Sequence, residues 1–168
     1  MYKLKKDHVL VLRTCDKNLQ GHGGFQWPQT GVVKASDWAK TKECGRGLHG
    51  FLWGAGDGSL ARWDAGAKWL VLEVPARDIV DLGGKIKFPK CRVVRCGDQI
   101  SASGFIAKYA PLDTAIIGRH VIVGHKQTVA VGYRGNATAG DWGTANAGNR
   151  GTANAGDWGT ANAGWGGT

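Results

Sequence analysis

Cysteine is scarce in this chain: four residues in 168 (Cys15, Cys44, Cys91 and Cys96), without the dense spacing of a disulfide-built secreted domain. Long apolar runs are missing as well, and none approaches the roughly 18 residues that a membrane-spanning helix needs. The stretch His8-Val-Leu-Val-Leu is too short for the core of a signal peptide and runs directly into Arg13. These absences lead us to expect a cytoplasmic protein with reduced thiols and no membrane partner. Glycine, by contrast, is abundant, with 28 residues, and there are eight tryptophans. The glycines crowd toward the C-terminus, so composition alone divides the chain. A formal charge of +9 either favours an acidic partner or simply keeps a Gly/Ala-rich chain soluble.

The C-terminal part is periodic. Glycine recurs every eight residues at 124, 132, 140, 148, 156 and 164. The segments between end in alternating tetrapeptides such as Thr144-Ala-Asn-Ala147 and Thr160-Ala-Asn-Ala163. Period-two alternation marks a strand with one buried face, here with alanine inward and Thr/Asn outward. Val129 and Val131 hold the same inward positions in an earlier unit. Each strand is followed by Gly-x-x-Gly, in which glycine would supply the positive φ of a tight corner. Eight residues cannot close a loop around a core, but two units make a flattened 16-residue coil. Corners 16 residues apart should then stack, with Trp142 beside Trp158 on one edge and Arg134 beside Arg150 on the other. Units such as Ala139-Gly-Asp-Trp-Gly-Thr-Ala-Asn146 resemble the octapeptide repeats of bacterial ice-nucleation proteins. That resemblance, over residues 122–168, implies a β-solenoid. Ordering water on a flat lattice needs a long array, so about three coils do not lead us to expect ice binding. The chain stops at Thr168 inside a repeat, which implies either truncation or a homodimer through the solenoid end, with Trp142, Trp158 and Trp165 as self-association residues.

Residues 1–100 read as an α+β domain, followed by a connector at 101–121 from which the first solenoid strands start. Strands are expected at His8–Thr14, Gly31–Ala35, Leu48–Trp53 and Lys68–Val74, and at Lys85–Arg95 with a bulge or an edge position at Pro89. Ser36-Asp37 and Ser59 are expected to cap short helices. The residues Gly24-Phe-Gln-Trp-Pro28, Cys44-Gly-Arg-Gly-Leu-His-Gly50, Asp81-Leu-Gly-Gly84 and Lys87-Phe-Pro89 resemble an uncharacterised domain of phage and bacterial proteins. In that family Gly/Ala/Thr octads follow the domain, and the resemblance implies a phage origin and a role against host machinery.

Several constellations could carry chemistry. Lys85, Lys87, Lys90, Arg92 and Arg95 form a basic strand that could track phosphates or an acidic protein surface, or could equally be an edge guarded by charge. Cys15, His22, Cys44 and His49 are zinc-ligand types, but their spacing matches no standard zinc motif. Gly54-Ala-Gly-Asp-Gly-Ser59 lacks the Lys-Ser/Thr ending of a phosphate-binding loop and reads as a turn. Arg13 on the first strand, His49 after a Gly-Arg-Gly segment and Glu73 on a late strand loosely resemble ADP-ribosyltransferase-like domains. That resemblance implies NAD as cofactor, although the His-Gly-Thr and Ser-Thr-Ser segments of such domains are missing.

The expectation from sequence is therefore a non-enzymatic, cofactor-free binding protein acting on a host protein or complex, with the solenoid as spacer or self-association module. An NAD-using enzyme and a nucleic-acid-binding protein are the alternatives.

Overall fold

The computed structural model describes residues 2–168 and divides into two compact units, 1–110 and 111–168. The molecule is mostly β, with antiparallel pairing in the first unit, small parallel sheets in the second, and a single α-helix among the described residues.

The first unit is built on β1 (His8–Cys15) and β4 (Lys68–Pro75), which pair antiparallel over eight residues, from His8 opposite Pro75 to Cys15 opposite Lys68. Their near-continuous apolar runs, HVLVLRTC and KWLVLEVP, mark strands covered on both faces. Around them lie β2 (Gly31–Lys34), β3 (Leu48–Leu52), β5 (Val80–Asp81), β6 (Ile86–Phe88) and β7 (Lys90–Gly97), in the order β2-β7-β4-β1-β3-β6-β5. One face packs Val11, Leu70, Leu72, Phe88, Val93 and Trp27 into the core. The helix α1 (Gln99–Ala107) lies against β4, β1 and β7 with Ala102 and Ile106 fully buried.

Three expectations need correction here. The α1 helix falls at the start of the expected 101–121 connector, while a repeat strand does begin near its end, at His120. Asp98 caps it, its carboxylate accepting the Ser101 N–H at 2.7 Å. Its apolar stripe is invisible in sequence because Ile100 is 64% exposed while Ser103 is buried. The helices expected after Ser36-Asp37 and at Ser59 do not form. Residues 36–47 are bends and irregular loop, and Ser59 sits in a 3-10 turn, Gly58–Leu60, capped by Asp57. The expected single strand over 85–95 divides at Pro89. Before it, β6 pairs with β3; after it, β7 pairs with β4 and β2, so one extended segment joins opposite ends of the sheet. Proline has no N–H to offer a ladder, and its carbonyl accepts the Ala35 N–H at 2.8 Å. The bulge itself lies further on, where Val71 and Leu72 face Arg95 and Val93.

The second unit contains six four-residue strands: β8 (His120–Val123), β9 (Thr128–Val131), β10 (Asn136–Ala139), β11 (Thr144–Ala147), β12 (Thr152–Ala155) and β13 (Thr160–Ala163). They form two parallel sheets, β12-β10-β8 and β13-β11-β9, with consecutive strands alternating between sheets. Every pairing is offset by 16 residues, as in Ala137 with Ala153 and Ala145 with Ala161. Both sheets bury their inward residues, Val129, Val131, Ala137, Ala139, Ala145, Ala147 and Ala153, in a shared core. At the corners, positive φ falls on Lys126, Arg134, Trp142, Arg150 and Trp158, each the second residue after a recurring glycine, and not on the recurring glycines from 124 to 164. From Gly132 onward those glycines are required by close approach instead. A Cβ on Gly148 would lie 2.8 Å from the Gly132 carbonyl carbon, and one on Gly143 would lie 2.8 Å from Ala139 Cβ and from the Gln127 oxygen.

Candidate functional site

The two repeat faces present ordered rows of small polar side chains. Register places Thr128, Thr144 and Thr160 in one row of the β13-β11-β9 sheet, with Ala130, Asn146 and Asn162 beside it. The opposite sheet aligns His120, Asn136 and Thr152, then Ile122, Thr138 and Asn154. Rows one coil apart are spaced by about 4.8 Å, and alternate residues along a strand by about 6.7 Å. Asn162 Nδ2 donates to Asn146 Oδ1 at 2.9 Å, so these amides form a ladder. Hydroxyl and amide groups both donate and accept, which suits them to hold water and leaves them no proton to transfer at neutral pH. On the β12-β10-β8 face, His120, Ile122, Asn136, Thr138, Thr152 and Asn154 line a shallow depression of about 520 Å³.

The corners lock the rows together. Asp141 Oδ1 accepts the Asp157 N–H and Asn149 Oδ1 accepts the Trp165 N–H, each at 3.0 Å and 16 residues away. The Trp142 and Trp158 rings stack at 5.8 Å with an 18° tilt and remain 57% and 82% exposed. Trp165 packs under the Arg150 guanidinium at 5.6 Å.

In the first unit the expected basic strand is not one continuous surface. Lys87 is 0% exposed; its ammonium donates to the Glu43 carbonyl at 2.8 Å and the Thr41 hydroxyl at 3.1 Å, and lies 5.8 Å from the Trp38 ring. It holds the 38–47 loop in place. Lys85 Nζ donates to Cys44 Sγ at 3.1 Å. Lys90, Arg92 and Arg95 are exposed on β7, where Arg95 Nε bonds the Ser101 hydroxyl at 2.8 Å. Pro89 separates the two groups by sending β6 and β7 to different partners.

Arg13, His49 and Glu73 do not converge. Arg13 pairs with Leu70 and Leu10 with Glu73, so alternation places the two charges on opposite faces of the sheet. Glu73 is 3% exposed; it accepts from the Tyr2 hydroxyl at 2.7 Å and lies 3.7 Å from the Lys5 ammonium. Tyr2 itself packs against Phe105 and Tyr109. Glu73 is therefore committed to fastening the N-terminal segment. Burial, then the hydrogen bond to Glu73, raises the Tyr2 hydroxyl pKa.

The zinc-type residues are also dispersed. Cys15 is in the core, where burial raises its thiol pKa, while Cys44 and His22 are exposed. Among the described residues no group of three His, Cys, Asp or Glu is arranged to hold a metal. The Gly54–Ser59 turn packs against Gly84, whose carbonyl accepts the Asp57 N–H at 2.8 Å and would meet any Cβ on Gly56.

Sequence reasoning missed a cleft of about 850 Å³ in this unit, lined by Arg13, Gly21, Phe25, Trp27, Cys44, His49 and Lys85 among others. Burial, then the positive charges of Lys85, Arg13 and Lys87, lower the His49 pKa to about 4, so the imidazole is neutral at pH 7. The Lys85 hydrogen bond is the main cause of a lowered Cys44 thiol pKa. No motif announces this cleft, because its walls come from six separate stretches of chain.

Comparison with known proteins overturns the expected function. The chain is 46% identical over 103 residues to an ice nucleation protein of Pseudomonas syringae, covering 60% of this chain and 9% of that protein. It is 41% identical over 105 residues to ice nucleation protein InaU of Pantoea ananas, covering 61% of this chain and 10% of the relative. With the ice nucleation protein of Xanthomonas campestris pv. translucens it shares 37% over 108 residues, 63% of this chain and 7% of the other. The chain thus spans a tenth or less of the length of these curated relatives. The identity runs over the N-terminal 60% of the chain, so the resemblance first noted in residues 122–168 extends to the first unit. Such relatives remove the basis for a phage origin, a host-directed binding protein, an NAD-using enzyme or a nucleic-acid binder. No solved structure matches. The family that matches residues 9–108 is described as a domain of unknown function, DUF7666, and the chain belongs to it.

Proposed function

We propose that this chain organises water on the faces of a β-solenoid of 16-residue coils, in the manner its ice-nucleation relatives' name implies, with the first unit as the head from which the array grows. The observation that carries this reading is the 16-residue register, which from β10 onward puts a hydroxyl or amide at both outward places of every strand and aligns them from coil to coil. An alanine core keeps the two faces close and flat, and the corner bonds from Asp141 and Asn149 hold neighbouring coils at a constant spacing. The array grows by copying one unit, because each coil contacts only its neighbours.

Droplet freezing tests the proposal directly. Duplicating residues 136–151 in frame adds one coil, and each added coil should raise the temperature at which droplets containing the protein freeze. Replacing Thr144 and Thr160 by lysine in the extended protein should lower it again. A freezing temperature unmoved by coil number would remove the reading, whatever the unextended protein does.

A further inference from the structure

We propose that the cleft in the first unit binds a small organic oxyanion, a carboxylate or phosphate on a flat apolar body. Arg13 and Lys85 take its charged end, and the Phe25–Trp27 pair lies against its apolar end. The cleft volume, about 850 Å³, is that of a small-molecule site. An extended polymer would need a continuous basic track, which the burial of Lys87 denies it.

Two donors beside the cleft lack partners. Arg13 Nε and Trp27 Nε1 are both buried without a hydrogen-bond partner. Elsewhere on the guanidinium, Nη1 donates to the His49 carbonyl at 3.5 Å. Trp27 is 2% exposed, so leaving its N–H unpaired costs free energy that a bound acceptor would recover. The space beside them is kept open by Gly21: a Cβ there would lie 2.9 Å from both Arg13 Nη2 and Trp27 Nε1. The Arg13 guanidinium sits 5.6 Å from the Trp27 ring centre, and Phe25 meets that ring edge-on at 5.3 Å, giving an apolar wall beside the cation.

Positive charge prevails in the cleft, whose lining sets Arg13, Arg46, Arg62 and Lys85 against one carboxylate, Asp37. Of the cations lining the cleft, Arg62 is paired with Asp16 and Asp64, while Arg13, Arg46 and Lys85 have no carboxylate partner among the described residues. His49 adds no charge, because burial, and after it the charges of Lys85, Arg13 and Lys87, lower its pKa. Lys85 reaches only the Cys44 sulfur, which an incoming oxyanion would displace.

Calorimetric titration of the full chain with benzoate, phenyl phosphate and inorganic phosphate tests this. We expect one site per chain for benzoate, phenyl phosphate or both, the pair distinguishing a carboxylate source from a phosphate source. Lys85→Gln and Arg13→Gln should each weaken binding about tenfold or more, the loss of one charge-assisted contact. Lys85→Gln is half-exposed and serves if Arg13→Gln does not fold. The bound anion should also slow alkylation of Cys44 by iodoacetamide, followed by peptide mass spectrometry, because Lys85 then no longer supports the thiolate. Absence of binding by both aromatic anions would overturn the proposal. So would binding indifferent to Lys85→Gln, or inorganic phosphate binding as tightly as phenyl phosphate.

Discussion

The two units solve the same problem, covering a β-surface, with different materials. The first fills its core with large side chains, Phe88, Leu70, Leu72 and Val11, on a sheet whose strands come from all along residues 8–97. Full burial of such a side chain contributes about 1.5–3 kcal/mol, so a few of them dominate the balance. The second unit packs alanine methyl groups, each contributing less than about 1 kcal/mol, and depends on repetition. Its stabilisation comes from backbone ladders at constant register and from corner bonds that span 16 residues. The first unit is therefore a single cooperative core with a cleft in it, and the second a sum of similar coils with an ordered surface on them. A large core permits an irregular site, while a repeated thin core imposes a lattice.

Removing a large core residue breaks the comparison most visibly. Phe88→Ala should cost the first unit about 3–5 kcal/mol in denaturant unfolding. Hydrogen exchange in β9–β13 should change little, and loss of protection there would show that the units do not fold independently. A smaller and more local effect is expected from Gly148→Ala. The added Cβ meets the Gly132 carbonyl, and overpacking of this kind costs about 1–3 kcal/mol. Exchange should accelerate in the coils that contain Gly132 and Gly148 and stay unchanged in β1 and β4.

The smallest effect is a dependence on pH confined to the first unit. His49 is held neutral down to about pH 4 when folded, against an ordinary value of 6.5. Between these values the unfolded chain binds a proton that the folded chain does not, so stability rises with pH across that window and His49 ceases to contribute to the slope above it. Melting temperatures of the native chain and His49→Gln, recorded from pH 4 to 7, should differ in slope there. Parallel curves would mean that the imidazole is not shielded by burial and by Lys85, Arg13 and Lys87.

Much of the strand content was legible in residue order. His8–Cys15 and Lys68–Pro75 show long apolar runs, and the TANA segments alternate strictly. The helix α1 was not legible, because its polar Ser103 is inside and its apolar Ile100 outside. The glycines of the repeat were legible as necessary, but for the wrong reason: the chain needs them for close approach between coils, and the positive φ falls on Trp142, Arg150 and their equivalents. The expected basic strand failed for a similar cause. Alternation tells which residues share a face, but not that Thr41 and the Glu43 carbonyl would arrive to bury Lys87.

Residue order by itself thus determined the eight-residue period and the inward alanines, because both are local consequences of spacing along one strand and one corner. Tertiary structure decided the rest: that Arg13 and Glu73 face opposite ways, that Pro89 sends one segment to two partners, and that Gly21, Trp27 and Lys85 surround one cleft. Those outcomes depend on which strands become neighbours, and pairing between segments distant in sequence is set by the whole sheet.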